Sequence, residues 1–253
     1  MHSNATAVGI IGGTGLNSFA QGLVQGPVIT PFGDASAALV RSESAQRPVL
    51  FLARHGSPHS LAPDKINYRA NLWALKNQGV QQVLAVNAVG GIRSDLTAGT
   101  LVIPDQLVDY SHGREHSYFD GRDYPGFDNA LQHVDFTFPY SVELAEALAQ
   151  AADRSALKVV RGGVYAAVQG PRLETAAEIN RLEGDGCDMV GMTGMPEAAL
   201  ARELGMDYAS ICLVVNPAAG RSQGLISMEQ IHQVIDSGMV EVRLLLDEVL
   251  KTL

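Results

Sequence analysis

Three short segments carry residue types suited to holding an anion. Arg54-His55-Gly56 follows the apolar run Val49–Leu52. An Arg guanidinium offers a two-pronged fork to phosphate, and a His beside it donates a further bond or moves a proton. Gly12-Gly13-Thr14-Gly15 follows Val8–Ile11, where a Gly-rich turn brings backbone N–H groups close to an anion and a Thr hydroxyl adds a bond. It is neither a dinucleotide fingerprint nor a P-loop: Gly13-Thr14-Gly15-Leu16-Asn17-Ser18 lacks the third Gly, and no Gly-Lys-Ser/Thr follows. Asn87-Ala88-Val89-Gly90-Gly91 follows Val83–Val86. Three apolar runs thus each lead into a Gly-bearing segment, the place where open α/β sheets hold ligands. Singly, each also reads as a tight turn or a satisfied surface pair.

Three further segments suit a heteroaromatic ring. Gln169-Gly170-Pro171-Arg172-Leu173-Glu174-Thr175 runs into a helical stretch, and its Glu174 either accepts from a ring N–H or stabilises the first helical turn through the helix dipole. In Val190-Gly191-Met192-Thr193-Gly194-Met195-Pro196-Glu197, Met192 reads as core and Thr193 as a helix cap. In Val214-Val215-Asn216-Pro217-Ala218-Ala219-Gly220, Asn216 carries a donor and an acceptor that fit a purine edge, and Asn-Pro is equally a turn starter. Cys187 and Cys212 show no zinc-ligand or disulfide-scaffold spacing, so no metal is expected.

The elements that position these residues follow from apolar periodicity. Val8–Ile11, Val49–Leu52, Val83–Val86, Leu101–Ile103, Val159–Val168 and Ala209–Val215 read as strands. Tyr68–Gln78, Ser141–Ala152, Glu174–Glu183 and Pro196–Leu204 read as helices, and a last helix starts at Ser227, with Gln230 completing a capping-box pattern, and runs to Leu250 with an interruption near Gly238. Strands separated by helices imply an α/β domain with a largely parallel sheet. Gln21–Gln46 and Ser111–Pro139 read as irregular. The second holds three of the seven His and four of the seven Phe, and a long aromatic loop in a compact domain is functional or packed against a neighbour. No repeat or linker divides residues 1–253, so one domain is expected, with residues 1–7 disordered.

Composition narrows the partners. A net charge of −9 argues against nucleic acid, whose phosphates need a basic face, and means that a bound anion is held by a local cluster against the global field. Only 18% of residues are charged, which predicts surface buried between subunits. The N-terminus lacks the basic start and apolar run of a signal peptide, and no run reaches the length of a membrane helix, so a soluble cytoplasmic protein without membrane partners is expected.

In order, the six segments, with Asn67-Tyr68-Arg69-Ala70-Asn71 and Glu197-Ala198-Ala199-Leu200-Ala201-Arg202-Glu203, resemble the trimeric purine nucleoside and methylthioadenosine phosphorylase family over roughly Val8 to Val240. The resemblance implies an α/β fold with a mixed, partly barrel-like sheet flanked by helices. It also implies a homotrimer with sites near subunit interfaces, and phosphorolysis of a purine nucleoside with inorganic phosphate as co-substrate and no metal or organic cofactor. Carried over by residue, the phosphate site falls on Thr14, Arg54, His55, Asn87, Ala88 and Thr193, with Asn87 standing where methylthioadenosine enzymes commonly have Thr. Met192 matches the residue against the ribose, and His133 the one a neighbouring subunit places over the 5′ end.

Substrate choice then rests on two ends of the nucleoside. Where adenine-specific members carry two Asp residues, this sequence has Asn216 and Ala218 around Pro217. An Asn amide donates to O6 or N7 of a 6-oxopurine while Glu174 accepts from N1–H, the pair of inosine and guanosine phosphorylases. At the 5′ end, Met228 stands where those enzymes place a His, and a thioether suits an S-methyl group while leaving a hydroxyl unpaired. The combination describes a 5′-methylthioinosine phosphorylase with Asn216, Glu174, Arg54 and His55 in catalysis. His232, one helical turn after Met228, is the rival for the 5′ position, and with it the rival reading as an inosine and guanosine enzyme. A methylthioadenosine phosphorylase, a histidine phosphatase built on His55 and a non-catalytic purine-binding module are the remaining alternatives.

Overall fold

The computed structural model describes residues 7–13, 16, 22–26, 28–44, 47–128 and 130–253. In chain order its elements are β1 (Val8–Gly12), β2 (Leu23–Val24), β3 (Val40–Ser44), β4 (Arg47–Ala53), α1 (Tyr68–Asn77), β5 (Gln82–Gly91), β6 (Leu101–Ile103), β7 (Gln106–Asp109), α2 (Val142–Arg154), β8 (Val159–Arg161), β9 (Val164–Ala167), α3 (Ala176–Gly184), β10 (Met189–Gly191), α4 (Gly194–Glu203), β11 (Asp207–Pro217) and α5 (Met228–Val249).

One mixed sheet organises them around β5. Parallel β1 joins β4 to the first half of β5, antiparallel β10 pairs the last two residues of β5, and β11 runs parallel to β5 along its length. Beyond β11 lies antiparallel β6, and beyond β10 lie β9 and β7. Only Pro104-Asp105 separates β6 from β7, so the pairings of β5 with β11 and β11 with β6 on one side, and of β7 with β9, β9 with β10 and β10 with β5 on the other, come round to the same stretch of chain. The sheet is therefore barrel-like on this side and open toward β2.

Alternation along the central strands builds a core on each face. Ile10, Phe51 and Leu84 face α2 and α5, with Leu148, Leu245 and Leu246; Ile11, Leu52 and Ala85 face α1 and α4, with Leu72, Leu75 and Ala198. Ser141 and Ser227 cap α2 and α5 by accepting from Leu144 and Gln230.

The structure departs from the sequence reading at identifiable places. Residues 87–91 are the second half of β5 rather than a loop after it, and the Val159–Val168 run divides at Gly162-Gly163 into β8 and β9. The stretch 21–46, expected to be irregular, contributes β2 and β3 as an antiparallel extension of β4. Helix α5 passes through Gly238 without a break. A Cβ there would lie 2.6 Å from Leu213 Cδ1, so the glycine lets α5 press onto β11. The aromatic loop packs within the chain: Phe32 lies 4.8 Å from Tyr118 and 5.5 Å from Phe127, ring centre to ring centre, and Phe127 stands edge-on to Trp73. Ala7, expected to be disordered, is buried in the core beside β1, and residues 1–6 lie outside the described residues.

Candidate active site

A cavity of about 330 Å³ opens where β1, β4, β5, β10 and β11 end, between the α4 start and α5. Gly13, Arg54, His55 and Ala88 border it on one side; Glu174, Met192 and Asn216 on another. Thr193 borders it as well, and Met228 and His232 reach it from the first turns of α5.

Arg54 leaves β4 into the interior, only 2% exposed. Its Nε donates to Glu197 Oε2 at 2.7 Å, Nη2 to Glu197 Oε1 at 2.8 Å and Nη1 to the Val86 carbonyl at 2.9 Å. Tyr208 also donates to Glu197, at 2.9 Å. Burial opposes the guanidinium charge, but the Glu197 carboxylate more than offsets it and raises the pKa above the ordinary arginine value. Three of five N–H groups are thereby committed, leaving one on each terminal nitrogen for an anion.

His55 stacks on His59, ring centres 4.3 Å apart, and its Nδ1 lies 2.8 Å from the Leu61 carbonyl. Burial, with Arg54 and His59 alongside, depresses its pKa to about 4 despite that carbonyl. The ring is neutral at pH 7, donates through Nδ1, and has Nε2 left as an acceptor.

Thr193 occupies the N-cap position of α4 yet makes no capping bond. Its hydroxyl donates instead to Asn87 Oδ1 at 2.8 Å, and Asn87 Nδ2 donates to Ser210 Oγ at 2.7 Å. Asn87 is 2% exposed and stands behind Thr193, and the bond it accepts there fixes the direction of the threonine hydroxyl. Thr14 lies outside the described residues.

On the base side, Glu174 precedes α3 rather than joining its first turn. Thr175 caps that helix in a reciprocal box with Glu178, which is the acid the helix start requires. Glu174 is left facing the cavity, where burial, with Glu178 adding to it, raises its carboxyl pKa. Met192, half-buried, borders the cavity too. Gly170 at φ +63° makes room for it, since a Cβ there would lie 2.5 Å from its sulfur. Asn216 sits at a register shift near the end of β11, with Nδ2 donating to the Pro217 carbonyl at 2.7 Å. Pro217 and Ala218 stand off the cavity. Ala218, 1% exposed, packs behind it and donates its N–H to the Gly91 carbonyl.

His133 lies on an exposed stretch away from the cavity of its own chain. The sequence reading missed Glu197 and Ser210 as site residues. The only hint for Glu197 was a carboxylate inside an otherwise apolar helix start, and nothing marked Ser210. Among the described residues no group of His, Cys, Asp and Glu could hold a metal ion, and no helix is long and apolar enough to cross a membrane.

Known proteins resemble this chain in sequence and in fold. A protein of Pseudomonas syringae pv. tomato named "Probable S-methyl-5'-thioinosine phosphorylase" is 50% identical over 249 residues, 97% of this chain and 98% of the relative. A "Probable 6-oxopurine nucleoside phosphorylase" of Thermococcus kodakarensis is 42% identical, over 94% of this chain and 90% of its own. The methylthioadenosine phosphorylase of Schistosoma mansoni in complex with adenine superimposes with a TM-score of 0.90 at 32% identity, over 96% of this chain and 90% of that one. The family model described as the phosphorylase superfamily matches residues 7–251. With the family model spanning residues 7–251 and relatives at 42–50% identity over nearly the whole chain, the chain belongs to the phosphorylase superfamily.

Proposed function

We propose that the chain catalyses phosphorolysis of S-methyl-5′-thioinosine, giving hypoxanthine and 5-methylthioribose 1-phosphate. The observation that carries the reading is convergence: Arg54 and Thr193, suited to phosphate, border the same cavity as Glu174 and Asn216, suited to a 6-oxopurine. Phosphate is held by the free N–H groups of Arg54 beside Thr193, with Thr14, Ala88 and His55 completing its surroundings. It attacks C1′ as the bond to N9 breaks, and holding the two reactants in line supplies much of the rate. The electron pair of that bond moves into the purine, where Asn216 donates to O6 or N7 and Glu174 accepts from N1–H, and the leaving base takes up one proton, matched by the one that monohydrogen phosphate gives up. Charge stabilisation of this kind is worth about 10²–10³ in rate per hydrogen bond. Met192 lies under the ribose and Met228 beside the 5′-methylthio group.

Neutral His55 adds no positive charge to the site; its acceptor nitrogen suits a protonated phosphate oxygen. Inorganic phosphate is the co-substrate, with no metal or organic cofactor, and the enzyme works in the cytoplasm as a homotrimer in which His133 of the partner subunit covers the 5′ end. One observation supports a second reading: His232 borders the cavity together with Met228, and an imidazole there would serve the 5′-hydroxyl of inosine.

The test is phosphate-dependent base release from S-methyl-5′-thioinosine, inosine and methylthioadenosine at equal concentration. The expected result is a strong preference for the first. Preference for inosine overturns the Met228 assignment, preference for methylthioadenosine overturns the Glu174 and Asn216 assignment, and silence on all three overturns the enzymatic reading.

A further inference from the structure

Arg114 is buried, 8% exposed, and its hydrogen bonds go to neutral partners, while its charge also acts on the Asp64 carboxylate. Every strong bond it makes goes to a main-chain carbonyl. Nη1 donates to Met192 O at 2.9 Å and Met195 O at 2.5 Å, and Nη2 to Val168 O at 3.1 Å and Gln169 O at 2.8 Å. The guanidinium lies over the Tyr68 ring, 5.6 Å from its centre, and among the described residues its Nε has no partner.

These four carbonyls belong to two separate segments. Val168 and Gln169 lead from β9 into the stretch that ends at Glu174; Met192 and Met195 flank Thr193 at the start of α4. That start is irregular, since Met195 has φ −122° and ψ 143° inside the helix, outside the helical region. A planar group with paired donors spans both segments at once, which a single ammonium cannot do.

We propose that Arg114 is a positioning residue that holds the Glu174 segment in fixed register with Met192 and Thr193, so that base recognition and phosphate attack are aligned on one nucleoside. The inference rests on the phosphorylase reading of the cavity. Arg114 touches no substrate; it acts through the backbone of the residues that do.

The test compares wild type, Arg114→Lys and Arg114→Ala by the ratio of kcat/KM for methylthioinosine to that for methylthioadenosine. That ratio is independent of how much enzyme is folded, so a purely structural role leaves it unchanged. The expected result is a fall of at least fivefold in Arg114→Ala, with kcat falling more than either KM rises, a smaller fall in Arg114→Lys, and partial recovery of kcat in Arg114→Ala on adding millimolar guanidinium. Should Arg114→Ala not fold, the Lys variant carries the measurement. An unchanged ratio in every variant that folds overturns the proposal. A wild type that favours methylthioadenosine overturns the substrate reading instead, and the same ratio, inverted, still decides the role of Arg114. A wild type without phosphorolysis overturns both.

Discussion

Both carboxylate oxygens of Glu197 are bonded to the guanidinium of Arg54, at 2.7 and 2.8 Å, with the two side chains 0% and 2% exposed. The pair fixes the plane of the fork, so the N–H groups left over have one direction in which to donate. Neutralising Glu197 in Glu197→Gln leaves a buried charge uncompensated. The expected loss is about 3–5 kcal/mol of unfolding free energy, together with at least a tenfold rise in the KM for phosphate. Denaturant unfolding and phosphate titration check the two separately, and an unchanged phosphate KM would show that Glu197 holds only the fold.

The depressed pKa of His55, about 4, sets a pH dependence of stability. Unfolded, the ring binds a proton near pH 6.5; folded, it resists until about pH 4. The unfolded state therefore binds more protons between those limits. This group's contribution to stability is complete above about pH 6.5 and is lost as the pH falls toward 4. Thermal unfolding at pH 7.5, 6.0 and 5.0 should show a smaller decline for His55→Asn than for wild type, and parallel declines would remove His55 as the cause.

Replacing Asn216 by Asp exchanges an amide donor for an acceptor at the cavity edge. Asn216→Asp should shift relative kcat/KM from hypoxanthine toward adenine nucleosides by about tenfold or more, the scale of one mismatched hydrogen bond in a closed site. Unaltered base preference would refute the assigned contact.

Met228 and His232 border the same cavity one helical turn apart. Met228→His should raise kcat/KM for inosine relative to methylthioinosine, whereas His232→Ala should leave the methylthioinosine rate within about twofold. The opposite pattern assigns the 5′ end to His232.

Gly238 tests the packing of α5 on β11. Ala is the better helix former by about 1 kcal/mol, but the added carbon would meet Leu213 at 2.6 and 2.8 Å. Overpacking of this kind costs about 1–3 kcal/mol, so Gly238→Ala should lower the Tm. A raised Tm would mean that Leu213 moves aside freely.

What the sequence reveals of this protein is mostly local. Val8–Ile11 and Val49–Leu52 are read as strands because continuous apolar runs suit a parallel sheet covered on both faces, and Ser141 and Ser227 mark helix starts because their hydroxyls serve N–H groups three residues on. The partners that set the site are distant: Arg54 and Glu197 are separated by 143 positions, Asn87 and Ser210 by 123, and Asn87 and Thr193 by 106. No local pattern encodes such pairs. Strands of two to four residues such as β2, β7 and β10 exist through their neighbours rather than through a run of their own. Gly238 misled because helix propensity is local, whereas its role is contact with another element.

The division of labour along the sheet also bears on how such a protein can change. Arg54 is held by its buried pair with Glu197, and Thr193 by a buried chain through Asn87 to Ser210, so a substitution within either unit disturbs more than one bond. Among the described residues the Asn216 side chain bonds to the carbonyl of the next residue, and Met228 is 55% exposed at the first position of its helix. Under the proposed assignment, phosphate is held in the part of the molecule least free to vary and the nucleoside is chosen in the part most open to change. On that assignment a new specificity can arise by single steps, with the reaction itself kept intact throughout.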